Sequence, residues 1–530
     1  MSNSIKVALC QINPILGNFD YNYDKILHNY NEALKENPDL VIFPEMVVTG
    51  YPPQDLLLSK KFIEKNLSTL NRFVKKVSKT CIIGFVNEKN GKLFNSAAIC
   101  ENGEIVYVYN KILLPTYDVF DEDRYFENGT EIGQFNLSVN GKSLNCIIQI
   151  CEDLWEDNYN RKLSTEIIDL KPDLIVNISS SPYHKNRKNI RRKLILDKFS
   201  KANCPFIYCN IVGGQDELIF DGNSLILNSD MELIKEGKSF QEDLVVANLN
   251  SPSIDQKEED SNKDIYDALC LGIKDYFEKT GHKKAVIGLS GGIDSTLVAC
   301  LAVDAIGPEN VYLISMPSRF SSEHSKTDAE LLAKNLNTNF KTIDIDDLFE
   351  KYLQVLEPHF KGLETDVTEE NIQSRIRGNI LMGFSNKFGC LVLSTGNKTE
   401  LALGYCTLYG DMSGGLSVIG DLSKTDVYDL AKWKNTVSTD IIPSSCITKT
   451  PSAELAENQV DPFDYDVISP IVDKVIYNES IDNNNSETDE IIKRINQNEY
   501  KRRQTPPILR ITRKAFGIGR RFPIVNHFHE

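Results

Sequence analysis

The sequence has no apolar run near the roughly 18 residues that a membrane-crossing helix requires. Its opening, Met1-Ser2-Asn3-Ser4-Ile5, carries no secretory signal. Twelve cysteines are present, but no C-x-x-C pair and no Cys/His spacing of the metal-ligand kind. That combination predicts a cytoplasmic chain with reduced thiols, most of them small core hydrophobes. None of the seven histidines sits in a catalytic motif. Positive charge is also short: 59 Lys and Arg face 75 Asp and Glu, a formal net charge of -16. A chain whose main business is coating nucleic acid or anionic membrane is therefore not expected, although a local basic pocket is not excluded.

Hydrophobic residues make up 41% of the chain and charged residues 25%, an ordinary globular composition. At 530 residues the chain is too long for one core, so two or more domains are expected. Strand-like apolar runs occur at residues 6–12, 40–43, 81–86, 96–100, 105–109, 146–150, 174–178 and 206–211, with helical patterns at 21–35 and 191–201. Such runs bracketed by helices predict sheets buried on both faces. NPDLVIF at 37–43 is echoed by KPDLIVN at 171–177, a hint of two similar halves. Residues 251–263 are polar, acidic and aperiodic, the signature of a linker. Beyond it, strands at 285–289, 311–315, 340–345 and 390–394 alternate with helices at 295–305, 325–335 and 368–387. That alternation predicts a doubly wound parallel sheet in an α/β fold. The expected domains are thus 1–250 and 264–530, joined by 251–263.

A further absence is chemical. SGGIDS at 290–295 follows the first strand of the second domain and opens a helix, like a phosphate-binding loop, but the P-loop lysine is missing. Glycine amides and the helix dipole would cradle an anion, and Ser290 and Ser295 would add hydroxyl donors. Asp294 would repel bare phosphate, and its expected use is to hold Mg²⁺ against phosphate oxygens. A Gly-Gly turn with a helix cap is the plainer reading of the loop alone. The motif resembles the PP-loop ATP pyrophosphatases, which adenylate a substrate and release pyrophosphate. On that resemblance the cradle grips departing pyrophosphate, which explains the missing lysine.

SMPSRFSSEHS (315–325), LSTGNKTELALGYCTLYGD (393–411), LSKTDVYDLAKW (422–433) and PSAEL (451–455) resemble NAD synthetases. YKRRQTPPILRITRKAFG (500–517) resembles their glutamine-dependent branch. The resemblance implies ATP binding by Gly288, Leu289, Ser290, Gly291, Gly292, Ile293, Asp294, Ser295 and Thr395. It implies deamido-NAD⁺ contacts by Asn371, Glu400 and Lys501, and a metal pair of Asp294 and Glu400. Taken alone, Glu400 is an ordinary helix-start acid. The basic run over 501–521 is read as counter-charge for a phosphate-rich ligand, against a solvated tail or nucleic-acid contact. Ala456, Glu457 and Pro462 depart from the family pattern just after PSAEL.

An adenylated carboxylate needs a nucleophile. In the first domain Glu45, Lys111 and Cys151 each fall at a strand end, and Cys151 beside Glu152-Asp153 is expected to be exposed. Amide hydrolysis needs a base, a cation for the oxyanion and a thiolate, and this trio can supply them in that order. Spacing alone does not single them out, because such residues fall at strand ends everywhere. FPE, NK…LP and CEDLW in this order resemble the nitrilase superfamily, which implies an α-β-β-α sandwich and a Glu-Lys-Cys set over residues 5–250. YPPQDL and LLPTYDVFDEDRYF resemble its glutaminase version fused to NAD synthetase. That match implies a glutamine pocket of Tyr51, Tyr117, Glu152, Ser181 and Arg187, the last two in a stretch that otherwise reads as a solvated loop.

The resemblances together imply a ligase whose glutaminase site releases ammonia to amidate adenylated deamido-NAD⁺, with L-glutamine, ATP and deamido-NAD⁺ as substrates. An enclosed ammonia route and a homo-oligomer with a synthetase-domain dimer interface are also expected. The rival readings are another PP-loop amidotransferase, or a nucleotide-binding regulatory module joined to an independent hydrolase.

Overall fold

The computed structural model describes residues 5–255, 260–438, 440–457, 459–480 and 486–525. Residues 256–259 of the expected linker, and Asn458 in the segment after PSAEL, lie outside these. The chain divides into two compact units, Met1–Glu259 and Asp260–Glu530.

The first unit holds two six-stranded sheets. One runs in the order Asp243–Asn248, Lys6–Gln11, Leu40–Ile42, Cys81–Lys89, Lys92–Glu101, Glu104–Asn110. The other runs Leu233–Glu236, Leu225–Leu227, Phe206–Asn210, Leu174–Ser179, Lys142–Ile150, Gly133–Val139. Period-two alternation assigns the faces. Val7, Leu9 and Ile42 join a core that includes Ile148, Ile178 and Cys209 of the second sheet. Ala8, Cys10, Val41 and Phe43 point the other way, onto Tyr23, Ile26 and Tyr30 of helix Phe19–Lys35 and Phe73 of helix Lys60–Val74. The second sheet packs against Ile167 of helix Leu163–Asp169 and Ile195 and Phe199 of helix Arg187–Phe199. The layers are therefore α-β-β-α.

Leu40–Ile42 is flanked by parallel neighbours, and so is Leu174–Ser179. The two echoed segments are thus the middle strands of equivalent parallel triplets, one in each sheet. Glu45 follows the first of these strands, Lys111 follows Glu104–Asn110, and Cys151 follows Lys142–Ile150.

The second unit is built on a five-stranded parallel sheet in the order Asn339–Thr342, Val311–Ser315, Lys284–Gly288, Cys390–Ser394, Leu416–Ser417. Its first strand is central, so the chain reverses direction across the sheet there, and the loop after that strand lies at the switch point where ligands bind. The linker reading needs one correction. Helix Ser261–Thr280 begins inside it, because the Asp260 side chain accepts the Lys263 N–H and caps the helix. Among the described residues no helix is long and apolar enough to cross a membrane.

Candidate functional site

In the first unit, Lys111 Nζ donates to Glu45 Oε1 at 2.9 Å and to the two oxygens of Glu122 at 3.0 and 2.9 Å. All three side chains are buried. Burial works against the ammonium, but Glu122 and Glu45 outweigh it and hold the Lys111 pKa well above its ordinary value. Burial raises the Glu122 carboxyl; Lys111 pulls it back and Glu45 pushes it further up. Asn95 Nδ2 ties the carboxylates together, at 2.7 Å from Glu45 Oε1 and 3.3 Å from Glu122 Oε2. The Ser180 N–H donates to Glu45 Oε2 at 2.6 Å, so Glu45 is held from both sheets.

Cys151 corrects an expectation. It is not exposed at the strand exit: φ of 41° turns it inward, and only 7% of its surface is accessible. Burial pushes its thiol pKa well above the ordinary value, Glu45 adds to this, and Lys111 opposes it. At rest this is a thiol that needs a base. Asp153 braces the turn, accepting N–H bonds from Ile112, Leu113 and Ile150 at 3.0, 2.9 and 2.9 Å and the Tyr109 hydroxyl at 2.7 Å. One buried carboxylate thus locks the ends of two strands, one in each sheet, that carry Lys111 and Cys151.

The expected glutamine residues gather here too. The Tyr117 hydroxyl donates to Glu152 at 2.9 Å, and Tyr159 donates to it at 3.1 Å. Burial pushes the Glu152 carboxyl up to about 7, against Lys111 and the two tyrosines. Arg187 donates to Ser181 Oγ at 3.1 Å and stacks 3.8 Å from the Trp155 ring. Its buried Nε has no hydrogen-bond partner among the described residues. The Tyr51 hydroxyl donates to Glu122 at 2.9 Å, which leaves its ring and an acceptor lone pair for a ligand.

In the second unit, helix Ile293–Ile306 starts earlier than expected and takes Asp294 and Ser295 into its first turn. Gly291 has φ of 80°, and a Cβ there would fall 2.2 Å from the Ser325 carbonyl oxygen, so only glycine fits. Ser295 Oγ accepts the Ser290 N–H at 3.2 Å and closes the loop. Gly292 caps the helix without a side-chain bond, which leaves the first-turn N–H groups for an anion. A cleft of about 280 Å³ opens above. Gly288, Leu289, Ser290, Gly292, Ile293, Asp294, Ser295, Thr395 and Glu400 line it, whereas Gly291 only shapes the turn.

Asp294 and Glu400 converge on one point, and Lys424 Nζ is there, 2.5 Å from Asp294 Oδ2 and 3.3 Å from Glu400 Oε1. Burial raises the Glu400 carboxyl to about 8, with Lys424 opposing and Asp294 assisting. Among the described residues no group of three or more His, Cys, Asp or Glu could hold a metal ion. Mg²⁺ is commonly held by one or two carboxylates plus substrate phosphates, so this converging pair fits it.

The carbon-nitrogen hydrolase family model matches residues 6–258, and the NAD synthase model matches residues 265–505. The glutamine-dependent NAD(+) synthetase of Synechocystis sp. is 43% identical over an alignment of 556 positions that covers 99% of each chain. The chain belongs to the glutamine-dependent NAD(+) synthetases. The synthetase of Thermotoga maritima is 38% identical, again over 99% of both chains. The solved glutamine-dependent NAD+ synthetase of Acinetobacter baumannii, in complex with ADP, matches with a TM-score of 0.81 and 38% identity over 99% of each chain.

Within this synthetase fold, other expected residues are placed differently. Asn371 accepts the Thr407 hydroxyl at 2.6 Å, and Lys501 donates to the Gly404 and Cys406 carbonyls at 2.7 and 2.9 Å. Both brace the loop after the Glu400 helix and do not line the cleft. The basic run over 501–521 is largely structural, which corrects its reading as phosphate counter-charge. Arg502 is buried and donates to the Leu401 and Ala402 carbonyls, while Arg503 and Arg520 pair with Glu499 and Arg513 with Glu479. Pro451–Leu455 lines the cleft despite its unusual neighbours, with Glu454 bonded to Ser322 and Ser325. Ala456, Glu457 and Pro462 stay outside the lining.

Glu122, Asn95, Asp153, Trp155 and Lys424 escaped sequence reasoning. Glu122 sits in the acidic run DEDR, which reads as solvated, and Lys424 opens a helix, where lysine reads as surface.

Proposed function

We propose that this chain makes NAD⁺ from deamido-NAD⁺, ATP and L-glutamine, with residues 1–250 as the glutamine amidohydrolase and the unit that begins at Asp260 as the synthetase. The observation that carries the reading is the buried Lys111 between Glu45 and Glu122, acting on the inward-turned Cys151.

Glu45 takes the Cys151 proton, and the thiolate attacks the side-chain amide carbon of glutamine. Lys111 stabilises the oxyanion, and Glu122 keeps that ammonium charged. The proton passes to the leaving nitrogen as ammonia departs, and water, deprotonated by Glu45, then cleaves the thioester to free glutamate. Arg187 suits the substrate α-carboxylate and Glu152 its α-ammonium; Ser181, Tyr117 and Tyr51 complete the pocket.

In the second site the nicotinate carboxylate attacks the α-phosphorus of ATP and pyrophosphate leaves into the 290–295 loop. Ammonia then attacks the adenylate carbonyl, giving NAD⁺ and AMP. Ser290, Gly292, Ile293 and Ser295 hold the phosphates with N–H and hydroxyl donors and Asp294 with its N–H alone, with Thr395 nearby. Asn371, Glu400 and Lys501 serve the deamido-dinucleotide, Asn371 and Lys501 by shaping the 404–411 loop. Asp294 and Glu400 would hold Mg²⁺, which when bound neutralises phosphate charge.

Exposed Leu348, Tyr352, Val355, Val367, Met382 and Phe388 on helices Asp346–Phe360 and Val367–Phe388 support a homo-oligomer built on the synthetase unit. A cytoplasmic location accords with the twelve free cysteines.

The test supplies glutamine carrying heavy nitrogen in its amide. The label should appear in the carboxamide of NAD⁺, with AMP and pyrophosphate formed alongside. Formation of ADP and phosphate, or unlabelled product, would overturn the reading.

A further inference from the structure

Lys424 stands at the point where Asp294 and Glu400 would place a metal, and what holds it there is informative. The residue opens helix Lys424–Val437, with Ser423 as its cap. A cation in the first turn meets the positive end of the helix dipole, so the helix itself does not favour it. The attraction comes from Asp294 and Glu400, at 2.5 and 3.3 Å, with the Tyr465 ring 5.3 Å away. The Lys424 side chain is 4% exposed, while the two carboxylates are 17% and 18% exposed and open to the cleft. Asn397 preorganises the pair. Its Nδ2 donates to Asp294 Oδ1 at 2.9 Å, its Oδ1 accepts the Glu400 N–H at 3.0 Å, and its own N–H donates to Glu400 Oε2 at 3.2 Å. Magnesium binds carboxylate oxygen at about 2.0–2.1 Å, so a divalent ion between these carboxylates competes with the ammonium for the same oxygens and is repelled by its charge.

We propose that Lys424 is a stand-in cation: it neutralises Asp294 and Glu400 in the nucleotide-free enzyme and yields to a divalent ion only when nucleotide phosphates arrive to receive its ammonium. The free enzyme is thereby closed to divalent metal, and metal enters together with the nucleotide. This rests on the assignment of Asp294 and Glu400 as metal ligands.

The test uses Mn²⁺ as a paramagnetic probe on the full chain, with and without α,β-methylene-ATP. Wild type should take up little Mn²⁺ alone and bind it with the analogue, beyond what the analogue binds by itself. Lys424→Met should bind Mn²⁺ alone at least about tenfold more tightly than wild type, because its two carboxylates are left unpaired. Mn²⁺ alone should also raise the melting temperature of that variant and leave wild type unmoved. Lys424→Arg, which keeps a cation, should follow wild type. Equal Mn²⁺ affinity of wild type with and without the analogue, or no gain in Lys424→Met, would overturn the stand-in role. Mn²⁺ uptake with the analogue that is indifferent to Asp294→Asn would instead overturn the metal assignment, and the stand-in role with it.

Discussion

Among the described residues, three buried lysines each sit between two carboxylates, and their surroundings separate them. Lys111 lies between Glu45 and Glu122, Lys424 between Asp294 and Glu400, and Lys398 between Asp421 and Asp473 at 3.2 and 2.7 Å. Lys398 also donates to Thr512 at 3.0 Å and faces the Tyr477 ring, but it lines no part of the cleft above the 290–295 loop. Lys111 faces a buried thiol, and Lys424 lines the cleft. The charge pattern alone therefore does not mark a site. What marks it is whether the ammonium meets a group that must change during the reaction.

Substitutions should split the three accordingly. Asp294→Ala should have the broadest effect, a loss of about 10²–10³ in NAD⁺ formation from glutamine and from ammonium alike, read by product assay. Normal turnover in that variant would break the phosphate-loop assignment. Lys111→Met leaves Glu45 and Glu122 facing each other in the interior and should cost about 3–5 kcal/mol of stability on denaturant unfolding. In its folded fraction glutamine use should vanish while ammonium use persists. Lys398→Met should carry a similar stability cost but leave KM for ATP and for glutamine unchanged per folded molecule. A shift in either KM would blur the distinction between structural and functional lysines.

Smaller effects test the glutamine pocket. The Glu152 carboxyl, raised by burial to about 7, is neutral below that pH and ionised above it. If its charge receives the substrate α-ammonium, kcat/KM for glutamine should fall as pH drops through about 7, and Glu152→Gln should remove that limb. Expressed per free ammonia, the ammonium-driven reaction should lack it. Trp155→Leu removes the ring stacked on Arg187 and should raise the glutamine KM by several-fold, worth about 1 kcal/mol.

The framework was legible where pattern has a direct physical cause. Buried parallel strands read as apolar runs, and the echo of NPDLVIF in KPDLIVN reflects equivalent central strands. Strand ends carried Glu45, Lys111 and Cys151 toward one site. Less legible was anything set by where a polar side chain turns. The Cys151 backbone folds inward on a positive φ that no local residue type announces. Glu122 lies in a charged run typical of solvent, yet its carboxylate is buried against Lys111. The basic run over 501–521 reads as a ligand contact, yet Arg502 satisfies helix-end carbonyls, and part-buried Arg520 and half-exposed Arg503 pair with Glu499.

The central claim is that Cys151 supplies nitrogen to a second site that can also take it from solution. It is tested most directly by comparing nitrogen sources in Cys151→Ala. NAD⁺ formation from glutamine should disappear and formation from added ammonium should remain near wild type. Loss of both activities in a folded variant, or retention of glutamine use, would contradict it.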